Sequence, residues 1–269
     1  MTTAIGRLLR EIFNLYRTTN MGTCSEYLWN VLLKAPKILL ERSLVSVDQS
    51  MDKPAYRFLV GDKAILLPGK GFGLAREIIG RRIYELDERF DIRSGDCVID
   101  LGANVGVFSL FAAAQGAQVI AIDAQSGFVA EILENSKMNG VDTVRPIHGI
   151  VAPECGVFAS QEARSSASHW QVEPPKIDMN EVLREAGWSA VDFLKADVEG
   201  AEFELFTTGD EWVNKVRRIA MEVHPKYGNV GQLLAHLQER GFEVILTDLD
   251  KRPAHDLHGK MGYVYAIRQ

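Results

Sequence analysis

The chain has 269 residues, of which 46% are hydrophobic and 25% charged, and its formal net charge is −6. These values are typical of a globular protein that folds in water, and no run approaches the roughly 18 apolar residues that span a bilayer. The acidic balance argues against a general nucleic-acid-binding face, because such faces neutralise phosphates with Lys and Arg. We therefore expect no nucleic-acid partner and no stable membrane insertion.

The cysteines and the N-terminus bear on the cellular compartment. Cys24, Cys97 and Cys155 are far apart and lack C-x-x-C spacing, so neither a disulfide framework nor a zinc site is indicated. Arg7, Arg10 and Glu11 interrupt the apolar N-terminus, which does not fit a secretory signal. The pattern favours a cytoplasmic location.

The N-terminal segment predicts two amphipathic helices. Apolar residues recur at helical spacing from Ile5 to Glu41, with a break near Asn20-Met21-Gly22. A helical cap packed on the core is favoured. A membrane-surface helix and a contact in a homodimer are the alternatives.

A hairpin and a glycine-rich segment follow the helices. Strands over Tyr56–Val60 and Ala64–Leu67 flank a Gly61-Asp62 turn, and the stretch Pro68–Gly73 predicts a mobile loop. A helix is predicted from Leu74 to Leu86. The spacing favours a solvated face for its arginines, which are Arg76, Arg81 and Arg82.

Strand and helix patterns alternate after Asp91, as in a parallel sheet covered by helices on both faces. We predict an α/β fold with a doubly wound, mostly parallel sheet over residues 89–269, and a cap, hairpin and glycine-rich loop over residues 1–88. The strands are expected at Cys97–Asp100, Gln118–Ile122, Val144–His148, Gly156–Ala159, Val191–Ala196, Arg217–Val223, Glu243–Thr247 and Tyr263–Ile267. The helices are expected at Val105–Gln115, Ser126–Asn139, Asp178–Ala186, Glu202–Thr207 and Val230–Arg240, with a polar loop over Gln161–Pro175.

The most informative segment runs from a buried strand into a tight turn. It reads Val98-Ile99-Asp100-Leu101-Gly102-Ala103-Asn104-Val105-Gly106. Glycine allows a close backbone approach and positive φ, and asparagine tolerates the same region. Asp123 ends the next strand, close to the spacing at which an acid meets ribose hydroxyls in such folds. We predict that a nucleotide-like ligand lies across this turn.

Charge distinguishes the candidate ligands. A dinucleotide would bring a pyrophosphate close to Asp100, and the G-x-x-x-G spacing from Gly102 to Gly106 departs from G-x-G-x-x-G. S-adenosylmethionine carries an ammonium and a sulfonium and no phosphate, so a carboxylate at Asp100 suits it. The predicted donor site comprises Asp100, Gly102, Asn104, Val105, Gly106, Asp123 and Asp197.

Three motifs together resemble a known family. They are Asp100-Leu101-Gly102-Ala103-Asn104-Val105-Gly106, Phe193-Leu194-Lys195-Ala196-Asp197-Val198-Glu199-Gly200-Ala201-Glu202, and Met221-Glu222-Val223-His224-Pro225. From about Tyr84 onward the chain is similar to FkbM-type methyltransferases. The resemblance implies a class I, Rossmann-like methyltransferase fold with an antiparallel last strand, S-adenosylmethionine as donor, and O-methylation of natural products, glycans or lipid-linked sugars. One departure is Asp123-Ala124, where the family often has Glu-Pro.

The acids and the histidine at the later strand ends suggest the chemistry. Asp197 and His224 are predicted at neighbouring strand ends, where ligands bind in open α/β sheets. Removal of a hydroxyl proton suits histidine, because its pKa lies near neutrality. We therefore assign His224 and Asp197 as candidate catalytic residues without a metal. An Mg²⁺ ion held by Asp197, Glu222 and His224 is the alternative.

These observations predict an S-adenosylmethionine-dependent O-methyltransferase acting on a hydroxyl of a small molecule, natural product or sugar. Two other functions remain open at this point. One is a nicotinamide-dependent oxidoreductase on a related sheet, and the other is a non-catalytic, cofactor-binding partner subunit.

Overall fold

The computed structural model describes residues 4–41, 43–152, 173–207 and 211–268. The N-terminal part contains helices α1 (Ala4–Thr18), α2 (Met21–Glu41) and α3 (Val45–Asp48), and then the antiparallel hairpin β1 (Tyr56–Val60) and β2 (Lys63–Leu67). A 3₁₀ turn (Gly69–Gly71), helix α4 (Phe72–Ala75) and a π-helical turn (Arg76–Gly80) lead into the larger sheet.

The larger sheet is built from alternating strands and helices. In chain order they are β3 (Cys97–Leu101), α5 (Val107–Ala114), β4 (Gln118–Asp123), α6 (Ser126–Met138), β5 (Val144–His148), α7 (Met179–Ala186), β6 (Phe193–Ala196), α8 (Glu202–Thr207), β7 (Arg218–Val223), α9 (Val230–Glu239), β8 (Glu243–Asp248) and β9 (Gly262–Ile267). The predicted elements at Gly156–Ala159 and over most of Gln161–Pro175 lie outside the described residues.

The seven strands lie in the order β5-β4-β3-β6-β7-β9-β8. Strands β3 to β7 run parallel, whereas β9 lies between β7 and β8 and is antiparallel to both. The order reverses at β3, so the crevice outside the carboxyl ends of β3 and β6 is the expected ligand site. The predicted doubly wound, mostly parallel sheet and its antiparallel last strand are confirmed.

Two hydrophobic cores cover the two faces of the sheet. Successive side chains of a strand point to opposite faces, and along β4 Val119 and Ala121 join one core while Ile120 and Ile122 join the other. The first core continues through α5 into the N-terminal part, where it includes Tyr27 of α2. The N-terminal helices and hairpin therefore share a core with the sheet. Within the described part of the chain, no helix is long and apolar enough to cross a membrane.

The segment from Pro68 to Leu86, predicted as a mobile loop followed by a long helix, has a different structure. Its glycines lie in close-packed turns: a Cβ at Gly69 would approach the carbonyl oxygen of Met51 to 2.1 Å. The helix ends at Gly80 rather than Leu86. Phe72 is completely buried and stacks on Tyr27. The glycines of this segment allow close packing. The sequence pattern alone does not distinguish that role from a flexible loop.

Arg76 is buried rather than solvated, so that prediction was wrong. Its guanidinium donates to Glu11 at 2.8 Å and to both carboxylate oxygens of Asp48 at 3.1 and 3.0 Å. These partners come from α1 and α3. The arginine therefore ties the first helix to the segment that leads into the sheet.

Replacing Arg76 is expected to destabilise the whole N-terminal part. Arg76→Ala leaves the Asp48 carboxylate without a counter-charge and leaves Glu11 with only Arg81, whose Nε lies 3.5 Å away, so we expect a loss of about 3–5 kcal/mol in the free energy of unfolding. Arg184→Ala is the matched control, because Arg184 pairs with Glu181 on the surface and such pairs contribute about 1 kcal/mol or less. Urea unfolding measures both. Equal losses in the two variants would contradict a structural role for the buried pair.

Candidate active site

The turn after β3 lies across the carboxyl ends of β4 and β6. The amides of Gly102 and Ala103 donate to the carbonyl of Ile122 at 3.0 and 3.1 Å. Gly102, Asn104 and Gly106 all adopt positive φ, at 69°, 51° and 83°. A Cβ at Gly102 would come within 1.9 Å of the carbonyl oxygen of Asp197. The turn is therefore fixed by backbone packing, and its conformation is the one the sequence predicted.

Asp100 lies beneath this turn and not in the crevice. Its side chain is completely buried; Lys195 Nζ lies 3.0 Å from its Oδ1, and Ser109 Oγ donates to its Oδ2 at 2.7 Å. The expectation that Asp100 faces a ligand ammonium does not fit this geometry, because its charge is balanced by Lys195. Only strand order brings the two together, since Asp100 pairs with Lys195 across β3 and β6.

Lys195 was not singled out from the sequence. Besides its contact with Asp100, its ammonium donates to the carbonyls of Leu101 and Gly102 at 3.2 and 2.7 Å. Burial acts to lower its pKa, but the charges of Asp100 and Asp197 outweigh burial and the pKa is raised. The ammonium therefore stays charged and holds the start of the turn. A lysine inside the apolar strand Phe193–Ala196 was the signal that could have revealed it.

Asp123 lies at the end of β4, beside the turn. Its Oδ2 accepts from the amide of Asn104 and its Oδ1 from the amide of Gln125, both at 2.8 Å. Burial raises the pKa of this carboxyl, and the two backbone hydrogen bonds oppose that rise. Each carboxylate oxygen has a second lone pair, so the group can still accept from a hydroxyl.

Val105 completes the turn. Its side chain is buried, and its carbonyl accepts from the side-chain amide of Asn135 on α6 at 2.8 Å. This bond fixes the turn to the helix that follows β4.

Glu202 organises the acidic end of the site. Its side chain is fully buried; Oε2 accepts from the amide of Gly200 at 2.8 Å, and Oε1 accepts from the backbone amide of His224 at 2.7 Å. The same Oε1 lies 3.2 Å from His224 Nδ1. A proton on Nδ1 therefore points to Glu202, which leaves Nε2 directed at Glu199, 3.4 Å away.

His224 lies in one group with the predicted partner Asp197 and with Glu199. One ligand atom from each of Asp197, Glu199 and His224 lies within 4.8 Å of the other two. The alternative metal set predicted from the sequence contained Glu222 in place of Glu199. Among the described residues, this group is the one whose spacing would suit a metal ion.

The accumulated negative charge changes the protonation of this cluster. Burial acts to lower the pKa of His224, but the hydrogen bond and charge of Glu202, with the charges of Glu199 and Asp197, raise it to about 9. Burial and the charge of Asp197 raise the pKa of the neighbouring Glu222 carboxyl well above its usual range. The imidazole is therefore mainly protonated at neutral pH.

Tyr84 reaches the same cluster from the N-terminal part of the chain. Its hydroxyl donates to Asp197 Oδ2 at 3.4 Å, and its ring packs edge-on against Phe108 and Tyr263. Lys195 Nζ lies 5.5 Å from the ring centroid. Sequence reasoning missed Tyr84, because a tyrosine at the end of a predicted helix carries no local signal of this contact.

Comparison with known proteins identifies the family. Residues 100–244 match the family model described as the methyltransferase FkbM domain. The chain is 26% identical to the 31-O-demethyl-FK506 methyltransferase FkbM of Streptomyces tacrolimicus, over 66% of this chain and 84% of that protein. It therefore belongs to the FkbM methyltransferase family, and its methyl donor is S-adenosylmethionine.

Two further similarities are to an RNA methyltransferase and to a solved methyltransferase domain. The chain is 30% identical to the 23S rRNA (uracil(1939)-C(5))-methyltransferase RlmD of Shewanella amazonensis, over 39% of this chain and 23% of that protein. Among solved structures, the METTL16 MTase domain is similar with a TM-score of 0.47 and 14% identity, over 70% of this chain and 65% of that one.

A methyl group added at Gly102 should disrupt the turn. Gly102→Ala would force its Cβ into the backbone of Asp197, whereas Gly140→Ala shares the positive φ but meets nothing within 4 Å. We expect Gly140→Ala to lose about 1–2 kcal/mol of folding stability through backbone strain alone. Gly102→Ala should lose about 1–3 kcal/mol more, together with donor affinity. Urea unfolding and calorimetric titration with S-adenosylmethionine measure both effects. Equal behaviour of the two variants would refute the close packing of this turn.

Proposed function

We propose that this chain transfers the methyl group of S-adenosylmethionine to a hydroxyl of a small molecule, natural product or sugar. The observation that carries the proposal is the orientation of His224. Glu202 holds its Nδ1, and Nε2 is directed at the exposed Glu199 carboxylate, 3.4 Å away, in the group that also contains Asp197. A hydroxyl must lose its proton as it is methylated, and an imidazole nitrogen held in this way can accept that proton.

The donor site in this proposal is the turn from Gly102 to Gly106, with Asn104 and Val105 between them. The bound donor supplies an electrophilic methyl group on a sulfonium. Asp123 is assigned to the ribose hydroxyls, and Asp197 to the methionine ammonium. Asp100 takes a positioning role instead, because it holds the ammonium of Lys195 under the turn.

The charge of the crevice supports a positively charged donor and disfavours nucleic acid as acceptor. Asp197 and Glu199 both lie at this end of the sheet, and the chain as a whole has a formal net charge of −6. Such a surface repels a phosphate backbone. The named FkbM relative acts on 31-O-demethyl-FK506, a small molecule. These points favour a small-molecule or glycan acceptor over RNA.

Product analysis tests this proposal directly. The protein is incubated with S-adenosylmethionine carrying a ¹³C-methyl group and with panels of hydroxyl-bearing small molecules and sugars, of amines, and of ribosomal RNA. NMR then identifies the atom that carries the label. An oxygen-bound methyl is the expected product. Label found only on nitrogen, or only on RNA, would contradict the proposed acceptor class, and no turnover with any panel would favour a non-catalytic partner subunit.

The pH dependence tests His224 as the base. Only the neutral imidazole accepts a proton, and the acids around His224 favour its protonated form. The rate should therefore rise with pH through a pKa of about 9 rather than near neutrality. His224→Ala should lower the chemical rate by about 10²–10⁴ with little change in donor affinity. Single-turnover kinetics with an acceptor from the product screen measures this, and native turnover in the variant would refute the assignment.

A control for this assignment uses Glu199. Glu199→Gln removes a negative charge that favours the imidazolium, so the rising limb of the pH profile should move to lower pH. NMR titration of the imidazole nitrogens should show the same movement without any acceptor. Glu181→Gln, on the exposed start of α7, should change neither profile.

A divalent cation is the second candidate for activating the hydroxyl. The spacing of Asp197, Glu199 and His224 would suit such an ion, and a ligating imidazole must be neutral, so binding would displace its proton. If a metal acts here, a chelator should stop turnover and Mg²⁺ should restore it. Unchanged turnover in the chelator would leave proton removal by His224 as the assignment.

A further inference from the structure

An apolar face on α1 and α2 remains exposed in the folded chain. Of the sixteen large hydrophobic side chains that are exposed among the described residues, ten belong to these two helices. On α2 they are Met21, Leu28, Trp29, Leu32, Leu33, Leu39 and Leu40, and on α1 they are Leu9, Phe13 and Tyr16. Scattered exposed leucines are ordinary, but a contiguous apolar face marks an interaction site.

The geometry of α2 shows that this face points away from the protein. Tyr27 and Val31 pack into the core. At about 100° per residue, the exposed apolar residues occupy an arc of roughly 140° on the opposite side. No charged residue lies within that arc. A surface helix normally places its charges there, so this face is built to be covered.

Basic residues flank the apolar face. Residues 1–43 contain six Lys or Arg and three Asp or Glu, a net charge of +3, whereas residues 44–269 contain 24 and 33, a net charge of −9. Lys37 lies about 40° beyond one edge of the α2 arc and is exposed. On α1, the Arg17 guanidinium lies 5.7 Å from the ring centroid of Phe13. The positive charge is therefore concentrated where the apolar side chains are exposed.

We propose that α1 and α2 bind in the plane of an anionic lipid bilayer surface, with Trp29, Phe13 and the leucines between the acyl chains. Leucine and aromatic residues on one face with Lys and Arg at its border is the composition of interfacial helices, which lie about 5–10 Å deep in the headgroup region. Long basic side chains can bury their stems and keep their charges among the headgroup phosphates. The acidic remainder of the chain is repelled by the same surface, which orients the molecule.

Charge also favours lipid over a second copy of the chain. In a two-fold dimer the apolar face of one copy would pack against the same face of the other. The basic residues of both copies would then surround one interface and repel each other. Anionic headgroups supply the opposite charge instead.

Vesicle flotation of the full chain tests the proposal. Vesicles of phosphatidylcholine alone are compared with vesicles that also contain anionic phosphatidylglycerol. We expect binding to the anionic vesicles and a reduction of about tenfold or more in the double variant Leu32→Ser, Leu33→Ser. The matched control is Leu133→Ser with Met138→Ser, which alters two exposed apolar residues on α6 and should bind as the native chain does. Native circular dichroism and donor affinity in all variants exclude misfolding.

Two further variants separate charge from apolar contact. Arg17→Glu with Lys37→Glu should lower binding to the anionic vesicles by about tenfold or more, because both side chains are exposed beside the apolar face. Brominated lipid should quench the tryptophan fluorescence of the native protein more strongly than that of a Trp29→Phe variant, because Trp29 would lie among the acyl chains. Absence of vesicle binding would overturn the proposal, and so would equal binding by the Leu32→Ser, Leu33→Ser variant and the Leu133→Ser, Met138→Ser control. So would a native dimer in light scattering that the Leu32→Ser, Leu33→Ser variant converts to a monomer without any lipid binding, because the face would then join two copies.

Discussion

The buried ion pair between Asp100 and Lys195 is the contact on which the site depends. It joins the two central strands, β3 and β6, at the point where the strand order reverses. The same ammonium holds the carbonyls that open the turn from Gly102. Either partner left alone would be a buried charge without compensation, so the pair is costly to break even if it adds little net stability. The crevice thus rests on a charged contact, although both flanking cores are apolar.

At the other end of the site, around His224, hydrogen bonds compensate the buried negative charge. Glu202 is fully buried, and backbone amides and the His224 ring use its lone pairs. Glu199 and Asp197 remain partly exposed beside it. The hydrogen bond and charge of Glu202, with the charges of Glu199 and Asp197, raise the pKa of His224 and keep the imidazole protonated at neutral pH.

The N-terminal helices have two separate roles in this structure. Their inner side chains extend the core, and Arg76 links them by ion pairs to the segment that carries Tyr84 into the site. Their outer side chains contribute nothing to that core. Because the inner face alone accounts for packing, the apolar outer face requires a different explanation, which a membrane surface would supply.

The sequence by itself determined the parts of the protein that follow from local periodicity and backbone stereochemistry. Alternating strands and helices predicted the sheet, and glycine and asparagine in one short stretch predicted the turn with positive φ. Asp197 and His224 were placed at neighbouring strand ends because parallel strands end at a common edge. The tertiary structure alone decided which distant side chains meet.

These contacts between distant side chains explain each difference between the prediction and the structure. Lys195 neutralises Asp100 because β6 lies beside β3. Glu199 rather than Glu222 completes the group with Asp197 and His224, because the turn after β6 places its carboxylate 3.4 Å from the imidazole. Arg76 is buried because two earlier helices surround it. A pattern within one segment describes which residues face inward. It does not describe what they face, because that depends on the order in which the strands and helices pack.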